Sequence, residues 1–142
     1  MNVQTIIRDK GSDVTTCGPT DSLASIATVL SDNKIGAVVI MQGRAIAGIL
    51  SERDIVRAVA RDGARALERP ARDYMTKKVI TCAMHETINE VMQKMSGGRF
   101  RHLPVVEDGA LAGLVSIGDV VKRRIAEVEK EAETIREYIA TA

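Results

Sequence analysis

Tryptophan is absent, and the aromatic residues number three: Phe100, Tyr74 and Tyr138. A protein that stacks single-stranded bases on aromatic platforms is a poor fit to that composition, and the core must be aliphatic. A dominant charge is missing too. Twenty Lys and Arg against 19 Asp and Glu leave a formal net charge of +1, so no global field draws DNA, RNA or an acidic membrane. No apolar run approaches the roughly 18 residues a membrane helix needs. The first ten residues, MNVQTIIRDK, alternate charge with short apolar stretches, unlike a secretory signal. Two cysteines, Cys17 and Cys82, without an export signal are expected to be reduced thiols, and the expected location is the cytoplasm. At 142 residues, 45% hydrophobic and 27% charged, the chain has room for one compact domain or two small fused ones.

What is present is a repeat. An offset of 65 residues, without a gap, lays Val14–Arg61 over Val79–Ala126. Identical pairs include Thr16/Thr81, Cys17/Cys82, Gly48/Gly113, Ser51/Ser116 and Asp54/Asp119. Each half predicts a short strand (Val14–Thr16; Val79–Thr81) and then an amphipathic helix. Leu23, Ile26, Ala27 and Leu30 mark the first helix, and Ile88, Val91, Met92 and Met95 repeat its phase. Two apolar runs follow in each half, Ala37–Met41 with Ala45–Leu50 and Leu103–Val106 with Ala110–Val115. They are separated by the turn signals Gln42-Gly43 and Asp108-Gly109. The turn glycines fall one alignment column apart, so the hairpins can differ in register. A second helix starts after Ser51 and Ser116.

The order is β-α-β-β-α, twice, and the fold class is α+β. Repeat 1 covers residues 10–62 and repeat 2 residues 75–126. A charged linker over 63–78 carries Gly63, Pro70 and a short helix around Ala71–Tyr74. One repeat alone buries too little, so the expectation is two sheets packed about a pseudo-two-fold as one module over 1–142. Val3, Ile6 and Ile7 predict an added N-terminal helix. A C-terminal helix over 119–140 carries a heptad-like stripe, Val121, Ile125, Val128, Ala132, Ile135 and Ile139. That stripe either packs back on its own module or meets a second subunit, and a homodimer is the favoured reading.

Gly48-Ile-Leu-Ser51-Glu-Arg-Asp54 and Gly113-Leu-Val-Ser116-Ile-Gly-Asp119 share the pattern G-h-h-S-x-x-D where a strand meets a helix. Helix capping explains Ser and Asp in an isolated S-x-x-D. Here the motif recurs at matched places, each time after a strand glycine that permits close backbone approach. A carboxylate there can accept hydrogen bonds from both cis hydroxyls of a ribose, and capping and ribose binding can coexist.

This whole pattern, from about Val14 to Arg124, resembles a tandem pair of cystathionine β-synthase-type (CBS) repeats, a Bateman module. The resemblance implies adenosine ligands in clefts between paired repeats, with the Asp on ribose and the first-strand Thr beside it. By position these are Asp54 and Asp119, Ser51 and Ser116, Thr16 and Thr81. Gly98–Val106 looks like the start of the family's second strand, where basic residues meet phosphate; this implicates Arg101 and His102, with Pro104 counted among them. In the first repeat the counterparts of Arg101 and His102 are Gly36 and Ala37, which offer backbone instead of charge, whereas Arg53 has Gly118 as its counterpart. The two sites are therefore expected to be unequal.

His85, His102, Cys17 and Cys82 lack metal-ligand spacing, so no metal is expected. No nucleophile–base set or phosphate-cradling loop is recognisable, so no catalysis is expected. The implied function is a regulatory sensor of AMP, ADP or ATP, or of NAD(H), acting on an unknown regulated protein, with no nucleic-acid or membrane partner. The alternative is a ligand-silent protein-interaction module.

Overall fold

Helix starts and stops recur at the repeat offset because the capping residues do. The computed structural model describes residues 1–141. In chain order the elements are α1 (Val3–Lys10), β1 (Thr16–Cys17), α2 (Leu23–Asn33), β2 (Ala37–Gln42), β3 (Ala45–Ser51) and α3 (Glu52–Asp62). Two short 3-10 turns (Ala64–Glu68; Ala71–Asp73) lead to α4 (Ile88–Gly98), β4 (His102–Glu107), β5 (Ala110–Ser116) and α5 (Ile117–Thr141). The side chain of Ser22 caps α2 and that of Thr87 caps α4, each accepting the N–H three residues on. Both helices end on a left-handed residue, Lys34 (φ 53°) and Arg99 (φ 59°), again at matching positions.

Two units form, and each takes up the leading segment of the other repeat. The first comprises Asp13–Ile80 with Asp108–Ala112; the second comprises Met1–Ser12, Thr81–Glu107 and the chain from Gly113 on.

In the first unit the strand order is β1-β2-β3, with β1 parallel and β3 antiparallel to β2. Its core is aliphatic as composition requires: Leu23, Ile26 and Leu30 of α2 pack with Val38, Ile40, Leu50, Ala58, Ala66 and Ala71. The linker belongs to this unit. Ala71 N–H donates to the Asp21 carbonyl and Arg72 N–H to Pro19, while Ile49 and Thr76 exchange both backbone bonds at 3.0 and 2.9 Å. Tyr74 Oη donates to Asp62 at 2.7 Å, under the Arg61 guanidinium.

The second unit holds β4 and residues 113–116 of β5, strands that pair as a two-stranded sheet. The buried side chains of α1 (Val3, Ile6, Ile7), α4 (Ile88, Val91, Met95), Leu103, Val105, Val115 and Val120 fill the unit's interior. Val3 and Gln4 N–H donate to the carbonyls of Glu86 and Met84, both at 2.9 Å, which seats α1.

Several expectations need correction. The first strand is Thr16–Cys17, not Val14–Thr16, and no strand forms over Val79–Thr81. The reason is Pro104. Its counterpart Val39 donates its N–H to the Thr15 carbonyl, a bond proline lacks the hydrogen to make. What remains is a single bridge, Cys82 with Val105. Met92 is 37% exposed and leaves the apolar face that Met95 completes. Both hairpin turns occupy the same alignment columns, Gly43-Arg44 and Asp108-Gly109. Gly43 and Gly109 have positive φ, and so does Asp108 (51°), a residue type that tolerates this conformation. The first hairpin carries a register shift between Ile40 and Met41. On α5 the stripe residues Ile125, Ile135 and Ile139 are 53%, 58% and 68% exposed.

Candidate functional site

In the first unit, antiparallel pairing sets Ala37 opposite Ser51. The Gly36 carbonyl accepts the N–H of Glu52, the first residue of α3, at 3.0 Å. The start of the second strand and the start of the helix are thus stitched together. Ser51 caps α3, and Asp54 closes a capping box: its Oδ2 accepts from Ser51 N–H at 2.9 Å and Ser51 Oγ at 3.1 Å. Thr16 lies along the same sheet, paired with Val39. Arg53 is exposed on α3 and shares no hydrogen bond or ion pair with this group among the described residues.

The second unit repeats the construction. The Arg101 carbonyl accepts Ile117 N–H at 2.7 Å. Asp119 Oδ2 accepts Ser116 N–H at 2.9 Å, and Asp119 N–H donates to Ser116 Oγ at 3.1 Å. The Arg101 side chain is exposed, and His102 is half-buried at the start of β4. Pro104 is buried, and its carbonyl accepts Cys82 N–H at 2.9 Å. Thr81 is next to it, with its own carbonyl engaged by Lys94 Nζ at 2.9 Å. One addition has no counterpart in the first unit. Lys10 Nζ donates to Asp119 Oδ2 at 2.7 Å and to the Leu114 carbonyl at 2.9 Å.

Capping is therefore a real role of both acids. Among the described residues, every hydrogen bond to the two carboxylates ends on Oδ2, and Oδ1 keeps its acceptor capacity. Burial opposes the charge of Asp119, but the bonds from Lys10 and Ser116 outweigh it and hold the carboxyl below its ordinary range. The strand glycines also acquire a different meaning. A Cβ on Gly48 would stand 2.7 Å from Met75 Sδ and 2.8 Å from the Thr76 carbonyl; one on Gly113 would stand 2.6 Å from Ile7 Cδ1. The close approach the glycines permit is made by the chain itself.

Two grooves lie near these elements without including either acid. A groove of about 550 Å³ adjoins Gly36 and Glu52, and one of about 780 Å³ runs along α5 past Thr87 and Ile135; neither is lined by Asp54 or Asp119. No group of three or more His, Cys, Asp or Glu side chains among the described residues could hold a metal. Likewise, no helix there is long and apolar enough to cross a membrane.

An α-β-β-α unit built twice, led by a short strand in the first copy and by a single bridge in the second, with a carboxylate at the same place in each, defines a tandem-repeat α+β module. The chain belongs to the CBS domain family, which matches residues 6–61 and 71–126, and it is a CBS pair. It is 46% identical to a CBS-domain containing protein of Agrobacterium tumefaciens whose crystal structure superposes with a TM-score of 0.85, covering 87% of this chain and 99% of that one. A CBS domain protein of Pyrobaculum aerophilum, solved in complex with AMP, is 27% identical, with a TM-score of 0.74 over 84% and 89% of the two chains. A mitochondrial CBS domain-containing protein of Arabidopsis thaliana is 32% identical over 128 residues, 87% of this chain; the match spans 62% of that relative's length.

Sequence reasoning missed Lys10 and Met75, and named Ile7 only as part of the N-terminal helix. The signal was available. Carrying the same offset upstream of Val14 sets Lys10 against Met75, and the family match itself begins at residues 6 and 71.

Proposed function

We propose that this chain is a regulatory, non-catalytic sensor of adenine nucleotides. It takes AMP, ADP or ATP, or NAD(H), at Asp54 and Asp119 and responds by changing conformation or assembly. The observation that carries this reading is the duplicated carboxylate. Each is fixed by its capping serine through Oδ2, while Oδ1 has no partner among the described residues. A carboxylate held still with a lone acceptor oxygen suits a ribose hydroxyl, because charge-assisted bonds are strong and little ordering entropy remains to be lost. The AMP bound by the Pyrobaculum relative supports the ligand class. Arg101 and His102 in one repeat, and Arg53 in the other, supply different surroundings for phosphate, so the two sites differ in affinity or ligand.

Calorimetry should show AMP binding in the micromolar range, about −8 kcal/mol, with Asp119→Ala and Asp54→Ala each removing affinity. Ligand at a hundredfold excess over Kd adds about 2.7 kcal/mol to stability. Unchanged melting temperatures in millimolar AMP, ATP and NAD would sink the proposal.

The exposed stripe of α5 favours a protein partner as well. The occupant we propose is a second copy of this chain. Two such stripes are self-complementary, as an isologous interface requires, and the Glu- and Lys-rich opposite face remains in solvent. If the chain copurified with a protein partner yet bound none of these nucleotides, the ligand-silent interaction module would replace the sensor. The proposed setting is the cytoplasm, and the regulated protein is a target outside this chain.

A further inference from the structure

Lys10 is the last residue of α1, and its ammonium bridges the Leu114 carbonyl and Asp119 Oδ2 at 2.9 and 2.7 Å. It is held there by its own helix. Ile7 packs on the bare Cα of Gly113, Asp9 pairs with Arg123, and α1 then stops at Gly11 with φ 96°. At the matching place in the other repeat stands Met75, packed over Gly48. A thioether cannot pair with a carboxylate. Asp54 Oδ2 consequently takes both its donors from Ser51, and one of them is a neutral hydroxyl that can rotate away. Asp119 Oδ2 holds an ammonium instead.

We propose that Lys10 sets the occupancy of the second site: its ammonium competes with the ribose diol for Asp119, and α1 acts as a latch that must yield before a nucleotide is bound there. The inference rests on the nucleotide reading of Asp119. A diol that engages both carboxylate oxygens has to replace an ammonium–carboxylate ion pair at Oδ2 with a bond from an uncharged hydroxyl. The side chains of Lys10 and Asp119 are 38% and 24% exposed. Solvent therefore screens the pair enough to make it breakable. The repeat with basic residues at its second-strand start is thus the latched one, and the repeat without them is open. The two sites differ in readiness as well as in phosphate chemistry.

The test uses the full chain carrying Asp54→Asn, so that calorimetry reads the Asp119 site, with and without Lys10→Met or Lys10→Gln. Release of the latch should tighten AMP about three- to tenfold, as expected for loss of a half-exposed ion pair. It should tighten 2′-deoxy-AMP less, because that ligand has no cis-diol to compete for the carboxylate. Unchanged or weaker AMP binding in both variants overturns the latch and makes Lys10 neutral or a phosphate contact. An equal gain for AMP and 2′-deoxy-AMP also overturns it, by attributing the effect to general loosening of α1. If AMP binds neither the unsubstituted chain nor any Lys10 variant, the nucleotide reading itself falls and the latch falls with it. Binding to the unsubstituted chain without a gain in the variants removes the latch alone.

Discussion

Asp119 has an ionic partner among the described residues, Lys10, and this ties its contribution to pH. Burial raises the Asp119 carboxyl, but the bonds from Lys10 and Ser116 lower it further, to a net value below the ordinary 3.8. A lowered acid stabilises the fold above its unfolded pKa and loses that contribution as pH falls through the folded value. Lys10→Met should therefore destabilise the protein at neutral pH by at most about 1 kcal/mol, since the pair is partly exposed. Urea unfolding should show that difference closing once the pH drops below 3.8. Glu86 behaves alike: burial raises it, the Lys94 ion pair and the Ala83 N–H lower it more, and its contribution fades in acid. The cysteines differ in the opposite sense. Burial, with Glu86 nearby, pushes the Cys82 thiol up to about 12, and burial raises Cys17 as well. Because the thiolate is the nucleophile, iodoacetamide at pH 8 should label the half-buried Cys17 first and reach Cys82 only on unfolding. Early modification of Cys82, followed by mass spectrometry, would contradict its burial.

At the scale of elements, the two strand glycines separate cleanly. Alanine at Gly48 would press on the Thr76 carbonyl at 2.8 Å, which accepts the Ile49 N–H while Thr76 N–H donates to the Ile49 carbonyl. Alanine at Gly113 would meet the terminal methyl of Ile7, which can swing aside. Gly48→Ala should cost about 1–3 kcal/mol of stability by overpacking, and Gly113→Ala less. Denaturant midpoints test this, and the reverse order would show α1 to be more rigid than the linker. Pro104 sets the length of its sheet. Pro104→Val supplies the N–H that its counterpart Val39 donates in the first unit, so residues 81–82 should form a strand as Thr16–Cys17 does. Amide exchange near Cys82 should then slow.

The whole molecule is governed by α5. A 25-residue helix with Ile125, Ile135 and Ile139 in solvent is an unsatisfied amphipathic surface. Light scattering should report a dimer, and Ile125→Glu with Ile135→Glu should yield a monomer with an unchanged far-ultraviolet spectrum. A monomeric parent chain would overturn the homodimer.

Duplication, the four long elements of each repeat and the S-x-x-D acids were determined by sequence, because caps, glycines and apolar spacing act over a few residues. Both long helices of repeat 1 follow directly from such local signals, whereas the first hairpin turn lies one residue on from the expected Gln42-Gly43. Tertiary structure decided what those signals cannot reach: which repeat receives Ile7 and which receives Met75, and why an exposed lysine at the end of α1 rests on Asp119. It also decided that a missing N–H at Pro104 removes a strand more than 20 residues upstream. Each depends on a bond or contact across the unit, and neither periodicity nor propensity encodes a partner at that separation. The carboxylates could be found in the sequence, but their inequality required the fold.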